Sequence, residues 1–383
     1  MRFESRRESF AELESARGLV PGIRTSQCEI DKQQALPADL AARLAADGMF
    51  RLLLPVCIGG SGLSLPRFVR VVEVIAEADG STGWCVSQAA VFASVADLLH
   101  AETAAEIWGT NRDAAVATGI PFGAEARAVD GGYLLDGRWR FASGCTHADW
   151  FAPLASVVGD VGSEPSRTFL VPREEVRLGE GWNVRGMQGT GSREYRLHAL
   201  HVPSRRSVAD AYTSHPGAST GLHVMLLFAC GFAAVGLGVA RRAVDEFIAL
   251  AAGKTPVFAN RKLAEDDLVQ SGLGEAEALL GATRAFLLDA AEECEHRHAT
   301  TGAVDFELRS RMRLAATHAM RRSADVVDRV YAMAGTDCIF DDHPLQRCFQ
   351  DIHALTQQVQ GRASHYRSVG RVLLGRQKET FAF

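Results

Sequence analysis

A short segment of alternating aromatic and polar residues, 136–144 (DGRWRFASG), separates two long flanks that carry helical patterns. Alternation with a period of two is typical of a half-buried β-strand, and the turn signal DGG at 130–132 precedes the segment. The segment therefore predicts a small β-rich unit inserted between two helical halves. Ser143, a hydroxyl just past the aromatic strand, is the residue that we expect nearest to the chemistry.

The patterning of the 383 residues predicts three units. Residues 1–114 carry helical patterns with proline near the starts and glycine at the stops. Residues 115–212 change to strand-like runs between turn signals, which predict a small antiparallel barrel or sandwich. Residues 213–383 return to helical patterns and predict an antiparallel four-helix bundle. The four helices are expected at 221–250, 263–298, 306–335 and 344–374.

The most apolar run, 224–240, approaches the length of a membrane-spanning helix. Small residues recur in it every few positions, as in a helix buried among other helices, and it ends at Arg241 and Arg242. Nothing else in the chain resembles a membrane segment, and residues 1–8 are charged and lack the apolar core of a secretory signal. We therefore expect a buried helix and no membrane association.

The charge balance and the cysteines narrow the class of protein. A net charge of −5 without a basic run argues against nucleic acid as a partner. The eight cysteines are scattered and form no C-x-x-C pair. This argues against a zinc site and a disulfide framework, and it favours a reducing, cytoplasmic location.

Several common functional motifs are absent from the sequence. The glycine-rich loop at 59–62 lacks the Gly-Lys-Ser/Thr of a phosphate loop, and no G-x-G-x-x-G follows a strand, so we expect no Rossmann domain. No G-x-S-x-G elbow supports a hydrolase. The run EHRH at 295–298 does not place two histidines on one helical face, because residues i and i+2 point apart, and we expect no metal site.

What remains is a set of short segments spread along the chain, each of which taken alone fits a structural role. They are the loop 55–64, GSTGW at 80–84, GRWRFASG at 137–144, GMQGTGS at 186–192 followed by HVP at 201–203, and AGT at 334–336 followed by PLQRCFQDIHA at 344–354. In this order and spacing the segments resemble the acyl-CoA dehydrogenase fold over nearly the whole chain. More closely, they resemble its flavin-dependent monooxygenase branch, the oxygenase components of two-component aromatic hydroxylases such as p-hydroxyphenylacetate and hydroxylated-steroid hydroxylases.

The resemblance implies a mainly α, acyl-CoA dehydrogenase-like fold with a helical N-terminal domain (1–114), a central β-barrel (115–212) and a C-terminal four-helix bundle (213–383). It also implies a homotetramer, a dimer of dimers, with flavin between barrel and bundle. The cofactors would be reduced flavin (FADH2 or FMNH2), supplied by a separate flavin reductase, and O2. The implied reaction is hydroxylation of a small aromatic molecule through a C4a-hydroperoxyflavin.

The same resemblance assigns residues to the flavin. Its ring would be lined by Trp84, Thr118, Gly119, Phe141 and Ser143, with Ser143 near N5. The hydroxyl-bearing loop would add Thr190 and Ser192. Further contacts to the flavin tail or ring, some of them from a neighbouring subunit, would come from Arg261, Gly335, Thr336, Gln357 and Gln358.

A missing carboxylate distinguishes the two branches of this fold. Acyl-CoA dehydrogenases commonly remove the substrate α-proton with a glutamate in a Tyr-Glu-Gly-Thr-x-Gln-Ile motif, and the corresponding stretch here is HALTQQV at 353–359. Ala354 stands at the position of that glutamate, and no carboxylate lies between Asp351 and Glu379. Because this proton is not removed without a base, the absence favours the monooxygenase branch. Some dehydrogenases carry the glutamate on another helix, so their activity stays open as an alternative.

Two residues are assigned to the substrate. His353 is the candidate base that polarises it, because an imidazole titrates in the appropriate range. Phe92 stands where phenol hydroxylases of this group often carry a histidine. The family's Arg-Asp pair and its second histidine appear here as Gln350-Asp351 and Gln358. An apolar Phe92 predicts an indole, a polycyclic aromatic or a heteroatom centre as the substrate rather than a phenolate.

Three functions are therefore compared. The first is a reduced-flavin-dependent monooxygenase, in which Ser143 and His353 are catalytic. The second is an acyl-CoA dehydrogenase-like flavoenzyme that oxidises a thioester or a related substrate. The third is a non-catalytic flavin-fold binding protein. We favour the first, although fold alone does not fix function.

Overall fold

The computed structural model describes residues 9–159, 166–209, 211 and 220–376. Its N-terminal part is helical, as the sequence predicts. Helix α5 shows how the sequence sets these elements: the Asp79 side chain caps it by accepting a hydrogen bond from the Thr82 amide at 2.7 Å. From residue 9 onward its helices are α1 (Ala11–Thr25), α2 (Gln27–Gln33), α3 (Ala38–Ala46), α4 (Leu65–Ala78), α5 (Gly80–Ala93) and α6 (Ala101–Trp108).

The described residues in the middle of the chain form two β-sheets. The strands are β1 (Val116–Ala117), β2 (Ile120–Val129), β3 (Gly132–Ala142), β4 (Trp150–Phe151), β5 (Leu154–Val158), β6 (Ser166–Phe169), β7 (Val171–Pro172), β8 (Arg177–Leu178), β9 (Arg193–Pro203) and β10 (Ser207–Ala209). One sheet has the order β1-β4-β7 and the other the order β10-β6-β5-β2-β3-β9-β8. Within the large sheet β3 lies antiparallel to β2 and β9, whereas β2 and β5 are parallel.

The predicted closed β-barrel is wrong for the described residues, because the two edge strands of the large sheet, β8 and β10, do not pair with each other. These edges have only two and three residues, too few for a ladder that would close the sheet. Residue alternation reports which face of a strand is buried, and it is the same in an open and a closed sheet. The sequence therefore predicted the strands but not how their edges meet.

The C-terminal part is helical again, with α7 (Val224–Gly253), α8 (Asp267–Thr301), α9 (Phe306–Ala334), α10 (Pro344–Thr356) and α11 (Ser364–Leu373). The single last helix predicted for 344–374 is wrong. Helix α10 ends at Thr356, a short 3₁₀ turn follows at Val359–Gly361, and α11 then begins at Ser364. The Gln358 side chain stabilises this break by accepting a hydrogen bond from the Gln360 amide at 2.6 Å.

Helix α7 is long and apolar enough to cross a membrane by length and composition, but 89% of its most apolar window is buried inside the protein. Glycine lets it approach α4 closely, since a Cβ at Gly238 would lie 2.4 Å from the carbonyl oxygen of Glu73. The small residues of α7 thus serve helix packing, as their recurrence in the sequence predicts.

The apolar core has two parts. One cluster joins the N-terminal helices to α7, α8, α9 and α10, and a second fills the β region around Trp139 and Tyr195. The helical core includes residues from both ends of the chain, so it does not mark domain boundaries. The predicted boundaries at 114 and 212 therefore stay a prediction. The candidate site lies where the β region meets α5, α7 and α10.

Candidate active site

A cavity of about 960 Å³ lies between the end of β3, the loop before β9 and helices α5, α7 and α10. Its volume falls in the range of pockets that enclose cofactors or drug-sized ligands. It brings together predicted residues from three separate parts of the chain. Those that line it are Trp84, Thr118, Gly119, Phe141, Ser143, Thr190, Ser192, His353, Gln357 and Gln358.

The end of β3 turns Ser143 toward helix α5. The register between β3 and β9 shifts between Trp139 and Ala142, and Phe141 has a φ of 59°, a left-handed conformation that is uncommon for a bulky residue. The Ser143 amide then donates to the Phe141 carbonyl oxygen at 2.9 Å. Strain of this kind persists only where the surroundings enforce it, and here it directs the serine into the cavity.

Four buried side chains form a hydrogen-bonded chain at this wall. Trp84 Nε1 donates to Ser143 Oγ at 3.0 Å, and Ser143 Oγ lies 2.7 Å from Ser192 Oγ. Ser192 Oγ is in turn 2.7 Å from Thr190 Oγ1, which donates to the Met187 carbonyl oxygen at 2.9 Å. Each of the four side chains is at most 8% exposed. The chain holds Ser143 in one orientation.

The loop that carries Thr190 is fixed to both helical parts. The Met187 amide donates to Asp351 Oδ1 on α10 at 2.5 Å, and the Gly189 amide donates to Ser81 Oγ on α5 at 3.1 Å. Gly189 has no room for a side chain, because a Cβ there would lie 2.3 Å from Ile30 Cγ2. The glycine-rich loop is thus held at several points.

A buried ionic cluster lies behind this loop. Arg347 donates to Asp79 Oδ2 through Nε at 3.0 Å and Nη2 at 2.8 Å, and it also pairs with Asp31. Burial would raise the pKa of Asp79, but Arg347 and the Thr82 donors outweigh it and hold that pKa below its usual range. Burial raises the pKa of Asp351 to about 6, with Arg347 opposing the shift and Asp79 adding to it.

Thr118 and Gly119 form the β side of the cavity between β1 and β2. A Cβ at Gly119 would lie 2.8 Å from Trp139 Cβ and 3.0 Å from Tyr195 Cε1, so only glycine fits beside these rings. The rings themselves stack, with centroids 5.2 Å apart. Thr118 is 8% exposed and lines the cavity.

The opposite wall is largely aromatic. Trp84 stacks on Phe232 with centroids 3.7 Å apart, and Phe232 stacks on Phe228 at 5.8 Å. Gln88 lies one turn after Trp84 on α5, and its buried Oε1 has no hydrogen-bond partner among the described residues. Such an atom is costly to leave unsatisfied, and a flip of the amide, which exchanges its O and N positions, would turn Oε1 toward a ligand donor.

Phe92 is fully buried and does not line this cavity. It lies two turns after Trp84, and successive fourth residues of an α-helix drift by about 40° around the axis. The predicted substrate contact at Phe92 therefore lies outside the cavity, and Gln88 lines it instead. The available signal for Gln88 was a long polar side chain on a helix whose other polar residues are small hydroxyls.

His353 lines the cavity from α10, and its Nε2 lies 2.8 Å from Asp328 Oδ1 on α9. A carboxylate oxygen accepts hydrogen bonds, so Nε2 is the donor in this contact, and in a neutral imidazole the lone pair then lies on Nδ1. The His353 side chain is 42% exposed. Asp328 carries no local signal in the sequence, because it lies on a different helix 25 residues before His353.

Three predicted cofactor residues lie outside the cavity. Arg261 is exposed and pairs with Asp266 at 3.1 Å, and Gly335 and Thr336 lie exposed at the end of α9. Lys254, directly after α7, donates to the Ala334 carbonyl oxygen at 2.7 Å and pairs with Asp337 at 3.1 Å. It therefore joins the end of α7 to the end of α9. Their contact with flavin through a neighbouring subunit stays a prediction.

The residues of the cavity fit a flavin. The wall offers aromatic faces for a planar ring and the Ser143 hydroxyl for a ring nitrogen. It also includes Arg185 and Arg362, whose charge suits a phosphate, and among its described residues there is no Asp or Glu. The position of the dehydrogenase glutamate is Ala354 at this wall, so the cavity lacks a carboxylate base there.

Comparison with known proteins agrees with this geometry. Residues 21–105 match the family model "Acyl-CoA dehydrogenase, N-terminal domain", and residues 230–361 match "Acyl-CoA dehydrogenase, C-terminal domain". The chain is 31% identical over 360 residues to an indole-3-acetate monooxygenase of Pseudomonas putida, covering 91% of this chain and 90% of that protein. It is 30% identical to the flavin-dependent monooxygenase oxygenase subunit HsaA of Rhodococcus jostii, covering 88% of this chain and 91% of that protein.

A solved structure is also similar to this chain over nearly its whole length. The 3-HSA hydroxylase from Rhodococcus sp. RHA1 superimposes with a TM-score of 0.90 at 26% identity, covering 98% of this chain and 100% of that one. The similarity thus extends over all the elements that form the cavity. The chain belongs to the flavin-dependent monooxygenases that are built on the acyl-CoA dehydrogenase fold.

Proposed function

We propose that this protein is the oxygenase component of a two-component system, which takes reduced FAD or FMN from a separate flavin reductase and inserts one atom of O2 into a small aromatic or heteroaromatic molecule. The observation that carries the proposal is the composition of the cavity wall. Its described residues include a buried hydroxyl, Ser143, and an imidazole, His353, but no carboxylate to remove a proton α to a carbonyl. Ala354 stands on α10 in place of that base.

The residues at the end of β3 would hold the flavin ring. Ser143 would hydrogen-bond N5, while Trp84, Thr118, Gly119 and Phe141 would contact the ring. Thr190 and Ser192 would act on it through Ser143, because their hydroxyls bond along the chain described above. Bound reduced flavin would supply the two electrons that activate O2.

The aromatic wall would exclude water from the reaction. Phe228, Phe232 and Trp84 form a continuous stack beside the serine. Exclusion of water strengthens each hydrogen bond in the cavity and suppresses loss of the activated oxygen as hydrogen peroxide. His353, held by Asp328, would accept a proton from the substrate at Nδ1.

We propose a fused-ring or indole-like substrate. The lining of the cavity is mostly apolar, and the unsatisfied Oε1 of Gln88 suits an N–H or O–H donor on an aromatic ring. One relative reported above is named for indole-3-acetate, which carries both an aromatic ring and an N–H group. Arg185 and Arg362 at the wall would favour substrates with an acidic substituent when they are not bound to a flavin phosphate.

We also propose a cytoplasmic homotetramer, a dimer of dimers, in which Arg261, Gly335 and Thr336 reach the flavin of a neighbouring subunit. Large apolar side chains lie exposed near these residues, which supports an interface there. They are Val257, Phe258, Ile339 and Phe340. All eight cysteines are free, which supports a reducing compartment.

The proposal is tested by isotope labelling. The purified protein would be mixed anaerobically with reduced FAD or FMN and a panel of indoles, phenols and polycyclic aromatics, and then exposed to ¹⁸O2. We expect one ¹⁸O atom in the product, as measured by mass spectrometry. A tightly bound oxidised flavin that an acyl-CoA bleaches would instead establish the dehydrogenase function. Failure to bind either flavin state would leave only a binding or structural role.

A further inference from the structure

The hydroxyl chain at Ser143 has a fixed donor order. Trp84 Nε1–H can only donate, so it occupies one lone pair of Ser143 Oγ. At the other end, the Met187 carbonyl oxygen can only accept, so Thr190 Oγ1 must spend its one proton there. In the two contacts between hydroxyls, the distances alone do not show which oxygen donates. The fixed roles of Trp84 and the Met187 carbonyl oxygen decide it.

The order follows from counting protons. Because the Thr190 proton goes to Met187, the 2.7 Å contact between Thr190 and Ser192 requires Ser192 to donate. The Ser192 proton is then used, so the 2.7 Å contact between Ser143 and Ser192 requires Ser143 to donate. Ser143 therefore keeps no proton for the cavity, where it presents only its remaining lone pair.

We infer that Thr190 and Ser192 are positioning residues that make Ser143 an obligate hydrogen-bond acceptor and thereby select reduced flavin over oxidised flavin. The inference rests on the proposed function, in which Ser143 faces N5 of the flavin ring. In reduced flavin N5 carries a hydrogen and donates, which matches the lone pair of Ser143. In oxidised flavin N5 only accepts, so two lone pairs would face each other.

Oxidised flavin could gain this bond only by reversing the chain. Ser143 would have to donate to N5, Ser192 to Ser143 and Thr190 to Ser192, and the Met187 carbonyl oxygen would then lose its bond from Thr190. The Met187 carbonyl oxygen keeps its bonds from Trp182 Nε1 at 3.1 Å and from the Thr190 amide at 3.2 Å, so the reversal costs one hydrogen bond. One net hydrogen bond corresponds to roughly a tenfold difference in dissociation constant between the two flavin states.

The test measures the dissociation constants of oxidised and reduced FMN and FAD by anaerobic equilibrium dialysis on the full chain. In Thr190→Val the Ser192 proton is released from its acceptor and can turn to Ser143, so both proton orders become available. We expect the ratio of the oxidised to the reduced dissociation constant to fall by about tenfold. The control Thr190→Ser keeps the hydroxyl and should keep the wild-type ratio.

Ser192→Ala provides an independent variant, since it removes the acceptor of the Ser143 proton and should lower the same ratio. A merely structural role of either residue would weaken both flavin states together and leave the ratio unchanged. Wild-type ratios in Thr190→Val and Ser192→Ala, with flavin still bound, would overturn the inference. Absence of flavin binding by the wild-type protein would instead overturn the proposed function.

Discussion

The Met187 amide donates to Asp351 Oδ1 at 2.5 Å and joins the loop of Thr190 and Ser192 to helix α10, 164 residues further along the chain. Asp351 is 5% exposed and shares its surroundings with Arg347 and Asp79. The position of the hydroxyl chain beside Ser143 thus depends on a buried carboxylate of a distant helix. The sequence pattern of the loop and its neighbouring strand does not show this contact.

The charge of Asp351 predicts a pH dependence of stability. Its pKa is raised from 3.8 to about 6 in the folded protein, so between about pH 4 and pH 6 the folded state binds more protons than the unfolded state. This contribution is fully present below about pH 4, and the free energy of unfolding falls by roughly 1–3 kcal/mol as the pH rises to about 6. Urea titrations across this range would measure it.

Asp351→Asn should flatten that slope while its Oδ1 still accepts from the Met187 amide. Asp39→Asn, at an exposed residue of α3, serves as the matched control and should keep the slope. An unchanged slope in Asp351→Asn would show that another group causes it. Asp79 acts in the opposite sense, because its lowered pKa stabilises the fold above pH 3.8 and this stabilisation is lost as the pH falls.

Replacing Ser143 should uncouple oxygen consumption from product formation. In Ser143→Ala the flavin loses its partner at N5 and Trp84 Nε1 loses its acceptor, so we expect the hydrogen peroxide released per O2 consumed to rise several-fold. Peroxide and product would be quantified in single-turnover reactions with reduced flavin. Ser143→Thr, which keeps the hydroxyl, should stay closer to wild type. If Ser143→Ala released no more hydrogen peroxide per O2 consumed than the wild type, Ser143 would have no role in the reaction.

The His353–Asp328 pair should control the product-forming step. Loss of a general base typically costs 10²–10⁴-fold, so His353→Ala should lower product formation by about that factor without weakening reduced-flavin binding. Asp328→Asn should cause a smaller loss, roughly tenfold, because it only orients the imidazole at 2.8 Å. The double variant should be no slower than His353→Ala alone. Additive losses would mean that the two residues act separately.

Gln88 should determine the affinity for substrate. Gln88→Leu keeps the approximate volume but removes the unsatisfied Oε1, so the KM of an N–H or O–H bearing aromatic should rise by about tenfold. The KM of a polycyclic hydrocarbon without such a donor is the control and should not rise. Steady-state assays with a fixed supply of reduced flavin would measure both. Parallel changes in both values would point to altered packing rather than a lost hydrogen bond.

The contact between α4 and α7 should tolerate no side chain at Gly238. A Cβ there would lie 2.4 Å from the Glu73 carbonyl oxygen, so Gly238→Ala should destabilise the protein by about 1–3 kcal/mol. Gly18→Ala in α1 is the control, because nothing lies within 4 Å of its added Cβ, and it should stabilise the protein slightly. Thermal unfolding would compare the two. A neutral Gly238→Ala would mean that the helices can separate without cost.

The sequence alone determined the local features of this protein. Period-two alternation located β3, and helical patterns located the two flanks. These features depend on neighbours within a few residues. The periodicity of a strand or helix identifies its buried face, and this information is present in the chain itself.

Only the tertiary structure decided which distant residues meet. It left the large sheet open, broke the last helix at Thr356 and paired His353 with Asp328. It also brought Ser192 to 2.7 Å from Ser143, 49 residues earlier in the chain. A buried polar group needs a partner, but its own sequence neighbourhood does not specify which one. The proton order at Ser143 follows from such long-range partners, and it therefore appears only in the folded protein.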